Sequence, residues 1–310
     1  MNSAITARSA TDMLSLIPYL LSFHVDDGVV VLVCQDRTVE VGLRFDYWMF
    51  DSPALVQTRL AHTAARFDSP RFFLAAYGAD RGVAEDALAL LEQVLDLDEV
   101  IDSVYTDGQR WWSRLCQKEC CPPEGTPCDP TSAAAVSAVL AGSTPVNSRA
   151  EIERTVEGPT LLAQSQLLAE FSAATERVEP LDMDERGERV LELVRTGLAD
   201  GVLAAGAACE LALLVSDIPP RDEAWLEMGL ASAKEHAALW RQVVAIAPES
   251  LAVPPLCLLA AAAWLSGNGV LMGCAINRAA DLDPFYSMLH VLQDIHLQAA
   301  PPSLWREMVS

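Results

Sequence analysis

The chain has 310 residues, 51% hydrophobic and 21% charged, which is a globular composition long enough for about two domains. Its 21 Lys and Arg stand against 43 Asp and Glu, a formal charge of −22, and this excludes a general electrostatic grip on DNA or RNA and an anionic membrane surface as partner. The acid is not confined to a tail: residues 1–145 carry 10 basic and 20 acidic side chains, and residues 146–310 carry 11 and 23.

Thr11 to Leu21 has helical spacing, with Pro18 as a kink. The apolar run from Leu14 to Phe23 is read as an amphipathic helix and not a signal peptide. Only Arg8 precedes it, Asp12 lies beside it, and no small-residue cleavage site follows. After the Asp26-Asp27-Gly28 turn, Val29 to Val33 is a continuous β-branched and Leu run, the mark of a strand buried on both faces. Gln35-Asp36-Arg37 reverses the chain, and Thr38 to Phe45 alternates as an antiparallel partner. Ser52-Pro53 starts a helix to about Phe67, with Ser52 as N-cap. Strand, helix and strand follow at Arg71–Tyr77, Val83–Leu95 and Val100–Tyr105. Asp107-Gly108 is a hairpin signal, so Gln109 to Leu115 is expected to return as a strand. Helices inserted between strands imply an α/β sandwich with a mixed sheet over residues 1–130, ending in a Cys/Pro-rich loop.

After Pro130, Ala and Leu dominate and β-branched runs disappear. Ser132 to Leu140 is helical, Gly142 to Asn147 reads as a linker, and Ser148-Arg149-Ala150-Glu151 has the form of a capping box. Helical patterns follow near 160–177, 184–199, 203–215, 222–246, 255–266, 270–281, 286–297 and 303–308, so residues 145–310 are expected to form an all-α domain. The uncharged stretch Ser250–Asn277 is interrupted by Pro254-Pro255 and by Gly267-Asn268-Gly269, and its apolar part is shorter than the roughly 20 residues of a membrane span. The small-residue turn at 265–269, followed by a helix ending at Pro284, has tetratricopeptide grammar; Ala247-Pro248 closes another helix 36 residues earlier. The domain is therefore expected to be partly tetratricopeptide-like.

The densest local signal is Arg110-Trp111-Trp112-Ser113-Arg114-Leu115-Cys116, followed by Cys120-Cys121-Pro122-Pro123-Glu124-Gly125 and Cys128. Four cysteines in thirteen residues make Cys116, Cys120, Cys121 and Cys128 a candidate zinc set; packed thiols or one disulfide are the alternatives. Trp111 and Trp112 are adjacent and point to opposite faces of a strand. Either helices cover both in the core, or one of them forms a binding platform with Arg110 or Arg114. His24 beside Asp26 and Asp27 offers a general base or ligand, or else a His that bonds helix-end carbonyls. No nucleophile elbow, P-loop, dinucleotide fingerprint or His-Glu-x-x-His motif is present.

The Trp-Trp-Ser…Cys-Cys-Pro-Pro-Glu-Gly segment resembles the family known as domain of unknown function 4192. Ile17-Pro18-Tyr19-Leu20-Leu21-Ser22-Phe23-His24 resembles its opening block, and Trp264-Leu265-Ser266-Gly267-Asn268-Gly269 with Asp283-Pro284 its closing one. Ser22, Val25 and Cys128 depart from the usual pattern, which has Gly, Pro and no cysteine there. The resemblance implies an actinobacterial or phage source and no assigned activity. The residues point to a cytoplasmic, non-catalytic module that binds a protein. The alternative is a small-molecule or nucleotide-binding enzyme with a pocket near His24, Asp26 and the Trp-Trp strand. No cofactor is expected beyond a possible zinc.

Overall fold

Val29 to Val33 are fully buried in an interior strand of the N-terminal sheet in the computed structural model, which describes residues 7, 9–36, 38–116, 121–140 and 144–308. The chain divides into two compact units, Met1–Arg149 and Ala150–Ser310.

In the first unit, α1 (Ala10–Leu21) starts on Ser9, whose hydroxyl accepts from the Asp12 N–H at 3.1 Å. β1 (Gly28–Gln35) pairs antiparallel with β2 (Thr38–Phe45) on one side and β3 (Arg71–Tyr77) on the other. α2 (Pro53–Ala64) lies between β2 and β3 in the chain. Ser52 precedes it but makes no capping bond, contrary to the sequence reading, and the helix stops three residues short of Phe67. α3 (Arg81–Val94) links β3 to β4 (Val100–Thr106) as a parallel crossover; its N-cap is Asp80, which accepts from Gly82 N and Val83 N. β5 (Arg110–Ser113) returns antiparallel to β4 and ends two residues before the expected Leu115. A two-residue strand, β6 (Thr126–Pro127), completes a mixed sheet of order β2-β1-β3-β4-β5-β6. Pro127 removes a donor from β6, which suits an edge position.

α4 (Ala133–Leu140), the helix expected over Ser132 to Leu140, falls within this first unit. Its Ala134 and Ala138 pack on Leu16 of α1, and Ser132 shares a 2.6 Å hydrogen bond with Ser15. Part of the expected linker is also held by this unit: Val146 N donates to Ser22 O and His24 N donates to Val146 O, both at 3.0 Å.

The second unit is helical: α5 (Arg149–Arg154, which starts at the division), α6 (Leu161–Val178), α7 (Met183–Asp200), α8 (Ala205–Leu214), α9 (Ile218–Leu226), α10 (Ala233–Val244), α11 (Glu249–Leu265), α12 (Gly269–Leu282), α13 (Ser287–Leu297) and α14 (Trp305–Met308). The single helix expected over 222–246 is two, because the chain leaves helical geometry from Glu227 to Ser232 around Gly229. Pro219-Pro220 open α9 instead of preceding it, since a first turn has no use for their missing N–H groups. α11 begins at Glu249 and runs through Pro254-Pro255, which removes the donors that would have met the Ser250 and Leu251 carbonyls. No helix among the described residues is long and apolar enough to cross a membrane.

Candidate functional site

The Asp107-Gly108 turn sets the register of β5. The Asp107 carboxylate accepts from Gln109 N at 2.9 Å and Arg110 N at 2.7 Å, and Gly108 adopts a φ of 87°. Strand alternation then sends the two tryptophans to opposite faces. Trp112 lies opposite Tyr105 of β4, and their rings stack at 5.4 Å and 24°. Arg81, the first residue of α3, sits over both rings, 5.2 Å from Trp112 and 5.5 Å from Tyr105. Trp111 faces the other way and donates its indole N–H to Thr11 of α1 at 3.1 Å. Neither indole enters the core, contrary to the reading that helices bury both. Each remains half-buried, since only two residues of β6 lie outside β5.

The Pro-Pro-Glu-Gly loop is folded onto Trp112 by three devices. The Trp112 indole donates to Pro123 O at 3.0 Å. The Arg110 guanidinium donates to Gly125 O at 2.7 Å and Glu124 O at 3.3 Å. Gly125, at φ +80°, presses so close that a Cβ there would stand 2.5 Å from Trp112 Cε2. Between sheet edge and loop lies a hollow of about 180 Å³. Arg81, Trp111, Trp112 and Ser113 wall it from the sheet and from α3, and Cys116, Cys121, Pro122, Pro123 and Thr126 complete it.

The remaining polar groups of β5 are committed to the scaffold. Ser113 donates to Asp102 at 2.6 Å and accepts from Cys116 N at 3.0 Å. Burial pushes the Asp102 carboxyl above its ordinary range, tempered by the bonds from Ser113 and Ser103 N. Arg114 clamps both oxygens of Glu92 on α3, at 2.8 and 3.2 Å. Burial alone would raise the Glu92 carboxyl, but the bonds from Arg114 and Ser103 hold it below the usual range. The Trp112 indole therefore takes its cation from Arg81, 31 residues upstream in the chain, and not from Arg110 or Arg114 as the sequence suggested.

The candidate zinc set does not stay together in what is described. Cys116 and Cys121 share the hollow, whereas the Cys128 thiol lies 3.5 Å from the Thr106 hydroxyl, with its acidity weakened by burial. Cys120 lies outside the described residues, as does Lys118. Among the described residues no three His, Cys, Asp or Glu side chains form a group that could hold a metal ion. His24 and Asp26 are exposed and do not wall the hollow. The backbone of His24 serves the bridge to Val146. Among the described residues, only Trp111, Trp112, Cys116 and Cys121 of those singled out from sequence therefore line one cavity. Arg81 was missed: nothing near it in the chain marks an arginine that the β3–α3–β4 crossover carries to the tryptophans.

A mixed α/β sheet unit with a walled hollow at its tryptophan edge, followed by a helical unit, defines the class of protein. The chain belongs to the family described as a domain of unknown function (DUF4192), whose family model matches residues 11–303 and so takes in all three sequence blocks. No curated protein and no solved structure matches it.

Proposed function

We propose that the protein is a non-catalytic binding module whose partner is another protein. The observation that carries this reading is the size of the hollow. About 180 Å³ has room for one bulky side chain. Pockets that enclose small-molecule ligands run to roughly 300–1,000 Å³. A wall of indole, proline and guanidinium is of the kind that anchors interface residues. The one serine hydroxyl in the wall is bonded to Asp102 and Cys116 N, so it is not poised as a nucleophile.

The helical unit supports the same reading. α11 and α12 are joined by the short turn Ser266–Asn268, as a tetratricopeptide-like pair would be, and stacked pairs of this kind present surfaces for peptides or helices. Its acidity suits a partner with a basic surface, whose approach it would speed. The setting in this reading is the cytoplasm of an actinobacterium or of its infecting phage. The buried thiols Cys34 and Cys257, pushed up to about 11 and about 12 by burial, are inert in a reducing compartment.

A second reading, a small-molecule or nucleotide-binding enzyme, is favoured by one observation. The hollow adjoins the first residue of α3 beside β4, near where open α/β sheets bind ligands at the carboxyl ends of parallel strands. One experiment separates the two. The full chain, carrying a photo-crosslinking residue in place of Thr126, is irradiated in its native cell, and the same chain is weighed by native mass spectrometry. A protein adduct at Thr126, missing when the crosslinker replaces exposed Leu97, is the result expected. A stoichiometric co-purifying small molecule without a protein adduct would overturn the proposal in favour of the second reading.

A further inference from the structure

We infer that the hollow accepts a carboxylate, carried by the partner as an acidic side chain or as the end of its chain. This rests on the protein-binding reading above and gives that site its ligand chemistry. Among the described lining residues Arg81 carries the only formal charge, and no carboxylate stands in the wall. The one charged residue of the described wall is thus a cation in a chain whose net charge is −22, paired through its Nε alone to Glu85 outside the wall. The other arginines of this edge are occupied, Arg110 by the loop carbonyls and Arg114 by Glu92.

The geometry of Arg81 suits the task. Two aromatic faces lie under its guanidinium, and its Nε is bonded to Glu85 Oε1 at 2.7 Å. The plane of the fork is therefore fixed from two directions. Its two terminal nitrogens donate to no acceptor among the described residues, and 51% of the side chain is exposed. Asp80, the acid next to it, is spent on Gly82 N and Val83 N. A pre-set planar fork whose Nη1/Nη2 edge donates to no described acceptor matches a carboxylate bidentately, which a lysine cannot do. The volume admits a glutamate side chain or a terminal residue and not a nucleotide.

The test uses the full chain with ¹⁵N-labelled tryptophan, reading the indole N–H signals of Trp111 and Trp112 during titration with short peptides. One probe has a central Glu and an amidated end, one has Gln in its place, and a third has Gln with a free C-terminal carboxylate. The inference expects at least one carboxylate peptide to bind about tenfold more tightly than the neutral one. The first and third probes show which source is preferred. Arg81→Gln should abolish the preference, Arg81→Lys should restore part of it, and Arg154→Gln in the other unit should leave it intact. An unchanged indole signal from Trp111, whose N–H is held by Thr11, in unbound Arg81→Gln shows that the edge is still folded. Equal binding of neutral and acidic peptides would overturn the inference and leave the protein-binding reading standing. Saturation by succinate with no response to any peptide would keep the carboxylate site and sink the protein partner. No indole response to any carboxylate up to about 10 mM would refute the inference outright.

Discussion

The two units bury polar groups of different kinds. In the sheet unit the fully buried polar side chains are the hydroxyls of Thr63, Ser103, Thr106 and Ser132, each hydrogen-bonded to a near neighbour. In the helical unit they are Glu210, Arg221 and His236. The difference follows from where backbone bonds go. Strands satisfy one another, so the ladder itself fixes register and the core between can be neutral. Helices satisfy only themselves, so side chains must set how one helix meets the next. Glu210 on α8 receives Arg177 of α6 at 2.7 Å and Arg189 of α7 at 2.6 Å. Arg221 of α9 reaches the Tyr286 hydroxyl at 2.7 Å and lies over its ring at 5.3 Å.

Removing Glu210 should have the largest effect. Glu210→Ala removes the one buried carboxylate that part-exposed Arg177 and Arg189 share at the junction of three helices, and a loss of about 3 kcal/mol is expected. Hydrogen-exchange mass spectrometry should show that loss in α6, α7 and α8 and leave β1 and β3 as protected as before. Equal loosening of the sheet would break the contrast between the units. The carboxyl also predicts an acid limb. Burial would raise it, but the bonds from Arg189 and Arg177 win and hold it below its ordinary 4.5. Its contribution is therefore complete above that value and is lost as pH falls through the lowered one.

In the sheet unit the sensitive point is a contact between backbone and ring. Gly125→Ala forces a side chain onto a φ of +80° and into Trp112, and should cost about 2 kcal/mol. The expected signature is local: shifted Trp112 indole resonance and faster proteolysis of the 121–125 loop, with the helical unit unaffected. Arg110→Ala removes two bonds to the same loop and should do the same at about 1 kcal/mol. If Arg110→Ala loosened the loop more than Gly125→Ala, the guanidinium and not the close approach would be the main clamp.

The sequence was most legible where one residue type repeats along a buried line. Val29–Val33 and Phe72–Tyr77 are unbroken apolar runs, and both lie in interior strands. Thr38–Phe45 alternates, and it covers one sheet edge. Legibility failed where a local rule was outvoted. Pro254-Pro255 reads as a stop but lies inside α11, whose residues from Leu256 to Leu265 are all buried. β6 has two residues, too few to carry any period. The site was half legible for the same reason. Trp111, Trp112, Cys116 and Cys121 are close in the chain and meet at the hollow, whereas Arg81 arrives through a crossover that no local pattern records.

The smallest expected effect is a pH dependence that separates the units near neutrality. His236 on α10 is fully buried, and neither ring nitrogen has a hydrogen-bond partner. Burial is the dominant influence and lowers its pKa below the ordinary 6.5, against the opposing pull of Glu227 and Glu235. The folded ring is therefore neutral where the unfolded ring takes up a proton. Stability of the helical unit is unaffected above the ordinary value and falls as pH drops below it. Between about pH 7.5 and about pH 5.5 the loss should be on the order of 1 kcal/mol. The perturbed groups of the sheet unit at that end of the scale, Glu92 and Asp102, are carboxyls whose ordinary values lie well to the acid side of this window. Protection of β1 and β3, taken relative to the intrinsic amide exchange rate at each pH, should accordingly hold steady while that of α10 and α11 falls. His236→Phe keeps a ring of similar size without a titrating nitrogen, and should flatten the slope without abolishing the fold. A slope that survives in His236→Phe would place the titration on another group, and a slope shared by the sheet would show that the two units do not answer pH separately.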